Sequence, residues 1–270
     1  MRLEVMNKMC LHSGIVFMAG PIMAQQGFFT KLENRGLIRI SGTARRKFLQ
    51  GLISNDINLL DTHPLIYTCL LTPNGKFLHD FFIREENETL LLDCEGGERT
   101  HDLAKRFEVY KLRADITIEM TNPVTVYVVI GDSSIGLPDP RHSDMGTRTH
   151  KKPENLPEEP FSSWDIHRIK LCIPDGSRDM IPEKSTLLEC GIDRLNGISF
   201  DKGCYMGQEL TARMHYRGLV KKRLSVVTGE NLPAAGEDII QNGQRIGEMR
   251  SSCGLYGLAV RTRTQAQNSN

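Results

Sequence analysis

The sequence predicts an α+β fold, an antiparallel sheet carrying a few helices, followed by a small β-barrel. Three observations carry this. Short runs of alternating apolar and polar residues follow one another around one or two helical stretches, as in "GLIRISG" and "LIYTCLL…KFLHDFFI". Five prolines at 138, 140, 153, 157 and 160, mixed with charged residues, mark a loop over 136–160. After Gly218 the chain turns into closely spaced short strands separated by glycines.

Taken in order, residues 36–42 read as a strand. Ser41 or Thr43 is placed to cap a helix over "ARRKFLQGLIS", whose Phe48, Leu49, Leu52 and Ile53 share one face. Arg45, Arg46 and Lys47 then face water. "LIYTCLL", "KFLHDFFI" and "ETLLLD" form a meander, with Gly75 of "PNG" and the "EEN" segment as its turns. A helix is expected from Glu98 to Arg113 on the spacing of Leu103 and Phe107, and "ADITIEM" and "VTVYVVIG" return to strand. The 136–160 loop has too few apolar residues to pack. A second helix beginning near Ser162 carries Trp164, Ile166 and Ile169 and stops before Pro174. "KKRLSVVTG", "AGEDIIQ", "QRIGEMRSS" and "YGLAVRT" supply the barrel strands. The expected division is a leader or mis-assigned start over 1–25, two interleaved α+β domains over 26–215, and the barrel over 216–264.

Composition narrows the function classes. The 34 basic and 33 acidic side chains of the 270 residues leave a net charge of +1, so no global attraction draws the chain to nucleic acid or an anionic membrane. The one segment that would suit RNA is "RMHYRGLVKKR", with Arg213, Arg217, Lys221, Lys222 and Arg223 around Tyr216. No apolar run reaches membrane-spanning length. Seven cysteines without a C-x-x-C pair argue against a disulfide framework and a spaced zinc site, and for a reducing compartment. The histidines form no metal-binding pair, so no metal is expected.

Two residues stand out chemically. Cys204, in "FDKGCYMGQEL", lies between glycines with Lys202 nearby, a setting that favours an uncovered thiolate; a turn cysteine without a role fits the same residues, and local context leaves both readings open. Asp80 lies in an apolar strand and needs a partner, either a basic side chain or a ligand with N–H donors such as a pterin.

The order of "FLQGLISNDI", "YTCLLTPNGKFLHDFFI", "YKLRADI", "NGISFDKGCYMGQELTARMHYRGLVKKRL" and "IGEMRSSCGLYGLAV" resembles the YgfZ-type folate-binding proteins. These are relatives of the glycine-cleavage T-protein, the tetrahydrofolate-dependent aminomethyltransferase. The similarity spans roughly residues 27 to 262, and K-G-C-Y-x-G-Q-E, here Lys202 to Glu209, is its most specific element. It implies a GcvT-like, multi-domain arrangement around a central channel that binds tetrahydrofolate, with a small C-terminal barrel. It also implies a role in assembling or repairing iron–sulfur proteins, notably [4Fe–4S] clients including tRNA-modifying radical enzymes. The implied compartment is the bacterial cytoplasm, or the mitochondrial matrix in a eukaryote. The continuation "ELTARMHYRGLVKKRL" is similar to the mitochondrial and alphaproteobacterial assembly factors.

Carried over by position, Cys204 is the functional thiol, with Lys202, Tyr205, Gln208 and Glu209 as its matched surroundings. Asp80 corresponds to the pterin-contacting aspartate, Asn55, Asp56 and Tyr67 to segments lining the same cavity, and Arg113 to a partner for the folate glutamate. The resemblance also sets this chain apart from a true aminomethyl or one-carbon transferase. Lys170 in "HRIKLCIP" stands where T-proteins carry a folate-holding glutamate, and Cys204 replaces their motif aspartate.

Overall fold

In a computed structural model, the structure describes residues 27–262. The leader expected over 1–25 lies outside them. The main body is one seven-stranded antiparallel sheet built from β1 (Phe28–Ser41), β2 (Ile66–Leu71), β3 (Phe77–Glu86), β4 (Thr89–Glu95), β5 (Thr117–Ile130), β6 (Leu137–Pro138) and β7 (Thr147–Thr149). Its spatial order is β2-β3-β4-β1-β5-β7-β6. Five helices accompany it: α1 (Arg45–Gln50), α2 (Glu98–Lys111), α3 (Phe161–Lys170), α4 (Gly176–Asp179) and α5 (Gln208–Tyr216). The C-terminal unit is a four-stranded antiparallel sheet of β8 (Lys222–Thr228), β9 (Asp238–Gln241), β10 (Gln244–Cys253) and β11 (Tyr256–Thr262), in the order β8-β11-β10-β9.

The large sheet is covered on both faces, so β2 and the first part of β3 are buried without a break, Thr68, His79 and Asp80 included. Successive side chains point to opposite sides. Ile66, Leu70, Phe81 and Ile83 pack with Ile38, Leu103 and Phe107 on the α1–α2 side. Tyr67, Cys69 and Phe82 pack with Trp164, Ile173, Leu187 and Tyr205 on the other. Two register shifts in the β1–β5 pairing flank Arg35, and a bulge of this kind re-aims a side chain. Arg35 donates to Asp93 across β4, at 2.7 Å from Nε to Oδ1.

Four expectations are corrected by packing. The two strands expected between 114 and 131 are one strand, β5, paired along its length with β1. The 136–160 segment packs without a large apolar complement: it contributes β6 and β7, and buries Asp139, Arg141 and Arg148 as ion pairs. Charge pairing replaces the missing hydrophobic area, a contribution that composition alone does not reveal. Thr43 gives its hydroxyl to Asp115 at 2.6 Å, and α1 starts without a side-chain cap. Of the three basic residues of α1, Arg45 and Arg46 both pair with Glu85 on β3; only Lys47 is exposed.

The two units are joined by a buried cation. Arg168 of α3 is fully buried; its Nε donates to Asp165 (2.7 Å), Nη1 to Asp179 (2.6 Å) and to the Ile173 carbonyl (3.0 Å), and Nη2 to Ser251 of β10 (3.0 Å). Ser251 in turn donates to Asp179.

Candidate functional site: a presented thiol and a carboxylate-floored cavity

The segment from Ser199 to Gly207 is pinned to the loop after α1. Ser199 N–H donates to the Ser54 carbonyl (3.0 Å) and Met206 N–H to that of Gly51 (3.1 Å). Between them the Lys202 ammonium donates to the carbonyls of Gln50 (2.8 Å), Ile53 (2.9 Å) and Asn55 (2.7 Å), and stands 5.1 Å from the centre of the Tyr205 ring. Tyr205 is buried, and burial pushes its hydroxyl up to about 12. Gly207 is required by geometry: its φ is +80°, and a Cβ there would come within 2.5 Å of the Thr72 carbonyl oxygen.

Flanked by these two anchors, Gly203 and Cys204 face solvent, and a Cβ on Gly203 would meet nothing within 4 Å. Among the described cysteines Cys204 alone is exposed. Burial pushes the thiols of Cys94 and Cys172 up to about 11 and that of Cys190 to about 12, and holds that of Cys69 well above its usual value. Those four are poor nucleophiles.

Lys202 was expected to favour the neighbouring thiolate, and the structure gives it another role. Its three N–H bonds are spent on backbone carbonyls, so the charge holds the loop. With no carboxylate in hydrogen-bond contact, desolvation lowers its pKa to about 8, only partly offset by Asp56. Gln208 opens α5, and Glu209 is exposed and pairs with Arg213 one turn on. Beside the loop, the Phe200 and His215 rings stack at 3.8 Å and the exposed Tyr216 meets both edge-on.

The second feature centres on the hydroxyl end of Tyr67. Asp80 of β3 is buried, accepts a 2.8 Å hydrogen bond from the Tyr67 hydroxyl, and has no ion pair within 4 Å among the described residues. Burial raises its pKa to about 6, with Arg35 and the Tyr67 hydrogen bond opposing and Glu95 reinforcing the shift. Gly176, at φ +49°, passes so close that a Cβ there would lie 3.0 Å from Glu95 Oε2 and 3.4 Å from Asp80 Oδ1. Alongside is a cavity of about 450 Å³, within the size range of ligand sites, walled by Leu32, Arg35, Glu95, Trp164, Gly176 and Arg178. The indole N–H of Trp164 is buried without a partner among the described residues. A flat heterocycle with both donors and acceptors fits such a wall. Glu33, Glu158 and Glu159 line it as well, and its cations are paired, Lys31 with Glu33 and Arg178 with Asp165 and Asp175.

Of the other residues expected to line this cavity, only Tyr67 reaches Asp80. Asn55 is buried and donates to the carbonyls of Tyr67 (2.9 Å) and Asn196 (2.8 Å), while Asp56 caps the turn at 57–61 by accepting from Asn58 N–H. Both therefore build the loop that receives Lys202. Arg113 is exposed just beyond α2 and is not part of the cavity wall. Lys170 is exposed with its ammonium 4.6 Å from the Tyr256 ring centre, against the C-terminal unit. In the basic stretch, Arg213 and Arg223 are taken up by Glu209 and Asp193. Arg35, Glu95, Trp164 and Gly176 were not legible as site residues, because bulges, turns and packing from distant segments bring them together.

Comparison with known proteins gives three findings. Residues 221–266 match the family model "CAF17, C-terminal beta-barrel domain", which covers the four-stranded unit and identifies it as the small barrel. The chain is 30% identical to the human mitochondrial iron–sulfur cluster assembly factor IBA57, across 85% of this chain and 76% of that protein. It is 32% identical to the mitochondrial IBA57 homologue of Neurospora crassa, across 72% of this chain and 52% of that longer relative. In fold it resembles the glycine cleavage system aminomethyltransferase T of Bartonella henselae, with a TM-score of 0.67 over 88% of this chain and 78% of that one at 13% identity.

Proposed function

Because the chain belongs to the family of IBA57-type iron–sulfur cluster assembly factors, we propose that it assists cluster assembly through the thiol of Cys204, with tetrahydrofolate held in the cavity beside Asp80, from which Gly176 now separates that carboxylate. The observation that carries the reading is the exposed Cys204 between two buried anchors, Lys202 and Tyr205. A loop fixed by five hydrogen bonds to one neighbouring segment presents its sulfur in a defined direction, which suits transfer between proteins. A [4Fe–4S] cluster takes four thiolates, and no three His, Cys, Asp or Glu side chains converge as a metal site among the described residues. Cys204 therefore acts with ligands brought by a partner assembly protein or by a [4Fe–4S] client, tRNA-modifying radical enzymes being one such class. The expected compartment is reducing, the bacterial cytoplasm or the mitochondrial matrix; no helix among the described residues is long and apolar enough to cross a membrane.

Folate enters this reading as a ligand. Asp80, steadied by Tyr67, would accept from the amino and ring N–H edge of the pterin, and Trp164 would donate to it. Lys31 and Arg178 would meet the glutamate only by exchanging their present partners, Glu33 for the first and Asp165 and Asp175 for the second. One-carbon transfer is the chemistry tetrahydrofolate supplies when bound, but Lys170 points this chain away from a transferase: it stacks on Tyr256 and takes no part in the cavity wall. The test is complementation. A strain lacking the protein should lose [4Fe–4S] enzyme activities, recover them with the wild-type chain and not with Cys204→Ser. Full recovery with Cys204→Ser overturns the proposal, and intact activities in the deletion favour the transferase.

A further inference from the structure

A cavity of about 310 Å³ lies at the joint between the main body and the C-terminal unit, and none of its walls comes from the large sheet. One wall is the segment 181–190; the other is formed by β8, β10 and β11. The segment is held from two sides. Phe77 N–H of β3 donates to the Ser185 carbonyl (2.9 Å) and Glu183 N–H to that of Phe77 (2.7 Å), while Leu224 N–H of β8 donates to the Glu189 carbonyl (2.7 Å). Strand register sets the opposite wall. Glu248 of β10 stands across from Val260 of β11, and Thr262 across from Lys222 of β8, so alternation puts these four on one face. Register shifts between Arg245 and Gly247 and between Met249 and Ser251 interrupt that alternation in β10, and Arg245 and Arg250 both reach Glu248.

The ion pairs of the strand wall are internally balanced. Arg245 is met by Asp238 (2.6 Å) and Glu248 (3.2 Å), and Arg250 Nη1 by Glu248. That leaves Lys184, Lys222 and Glu189, two ammonium groups against one carboxylate. Both lysines are exposed, and neither ammonium has an ion pair or hydrogen bond among the described residues. Glu189 has no cation within 4 Å among those residues, and one of its oxygens accepts from the Thr186 hydroxyl (2.8 Å). Arg250 is 11% exposed and spends a single donor on Glu248; its Nε–H is buried without a partner. The cavity therefore combines surplus positive charge, a guanidinium with donors to spare, and a carboxylate able to accept from hydroxyl groups. Its apolar lining is sparse, chiefly Ile181 and Val260.

We propose that this cavity binds a phosphate monoester carried on a small hydroxylated body. The phosphate meets Lys184, Lys222 and Arg250, and the hydroxyls donate to Glu189. A carboxylate in the wall disfavours a ligand that is anionic throughout, and the sparse apolar lining disfavours an aromatic one. Because the cations come from both walls, the ligand also fastens the C-terminal unit to the main body. This goes beyond the cluster-assembly and folate readings and does not rest on them.

The test titrates the full chain with ribose 5-phosphate, inorganic phosphate and ribose by calorimetry, and maps the ester by backbone amide shifts. Saturable binding of the ester is expected, with ribose and inorganic phosphate each at least about tenfold weaker. The shifts should fall in residues 184–190 and 245–250. Lys184→Gln with Lys222→Gln, both exposed and unpaired, should weaken the ester about tenfold or more without lowering the melting temperature of the free protein. Glu189→Gln should narrow the advantage of the ester over inorganic phosphate, since this carboxylate accepts only from the body. Saturating ester should raise the melting temperature of the wild type and leave that of the double variant unchanged. Ribose or inorganic phosphate binding as tightly as the ester, unchanged affinity in the double variant, shifts confined to other residues, or no saturation at millimolar ester each overturn the proposal. Displacement of the ester by tetrahydrofolate also overturns it, because the ester would then occupy the cavity beside Asp80.

Discussion

Arg168 and Lys202 are both buried cations that join distant segments, and they are satisfied differently. Arg168 meets two carboxylates, a carbonyl and a hydroxyl, so its charge is neutralised where it sits. Lys202 meets carbonyls and an aromatic ring, and the nearest compensating acid is Asp56, acting at a distance. The first arrangement locks the barrel to the main body. The second holds a loop whose function is at its exposed tip, with a charge that can be removed at mildly alkaline pH. In each case a single side chain replaces a hydrophobic contact that the local sequence could not supply.

The largest effect that would separate the two is Arg168→Met. Removing one partner of a buried charge network typically costs about 3–5 kcal/mol, because Asp179 is left without a cation while Asp165 keeps Arg178. Thermal unfolding should show a fall of roughly 10 °C, with the C-terminal unit melting first. A fall no greater than that of a surface substitution would mean that the joint lies elsewhere.

Lys202→Met should cost less, about 2–3 kcal/mol, through orphaned carbonyls that water can partly reach. Hydrogen exchange should speed up in residues 199–206 and leave β10 unchanged. In the wild type, the folded state releases the Lys202 proton near pH 8 and the unfolded chain near 10.5, so stability should rise with pH across that interval. Lys202→Met should abolish that part of the slope.

Asp80→Asn is expected to act in the opposite direction. The folded protein keeps the Asp80 proton up to about pH 6, whereas the unfolded chain releases it near 3.8, so wild-type stability falls as pH rises between these values and stays lower above them. The variant should gain about 1–3 kcal/mol at pH 7.5, a gain that disappears below pH 4. It should also weaken tetrahydrofolate binding in calorimetry, the stability–function trade-off of a ligand site.

Smallest in stability is Cys204→Ser. The side chain is exposed and touches no core residue, so unfolding should shift by less than about 0.5 kcal/mol. Yet it should remove one fast-reacting equivalent in a thiol titration of the native protein. If the native wild type lacks that fast equivalent, the thiol is not presented.

Much of the fold was legible because period-2 patterning and glycine-marked turns report directly on strands. The meander from β2 to β4, α2, α3 and the four C-terminal strands all lie where the sequence reading placed them. The 136–160 segment was misread because its packing comes from Arg141–Asp139 and Arg148–Asp93, whose second pair spans 55 positions. The candidate site divides in the same way. Cys204 and Asp80 were visible as a thiol among glycines and a carboxylate in an apolar strand; that Asn55, Asp56 and Lys202 meet in one loop was not, because their partners are backbone groups of distant segments. Which groups a polar side chain faces depends on the loop that arrives opposite it.

By itself the sequence determined the α+β class, the C-terminal strand-rich unit and the two residues with unusual local settings, because these depend on neighbours within a few positions. Only the tertiary structure decided which of six described cysteines is exposed, that Lys202 supports its loop, and that Arg35 and Arg148 converge on Asp93. Exposure and electrostatic environment are set by what packs from elsewhere in the chain.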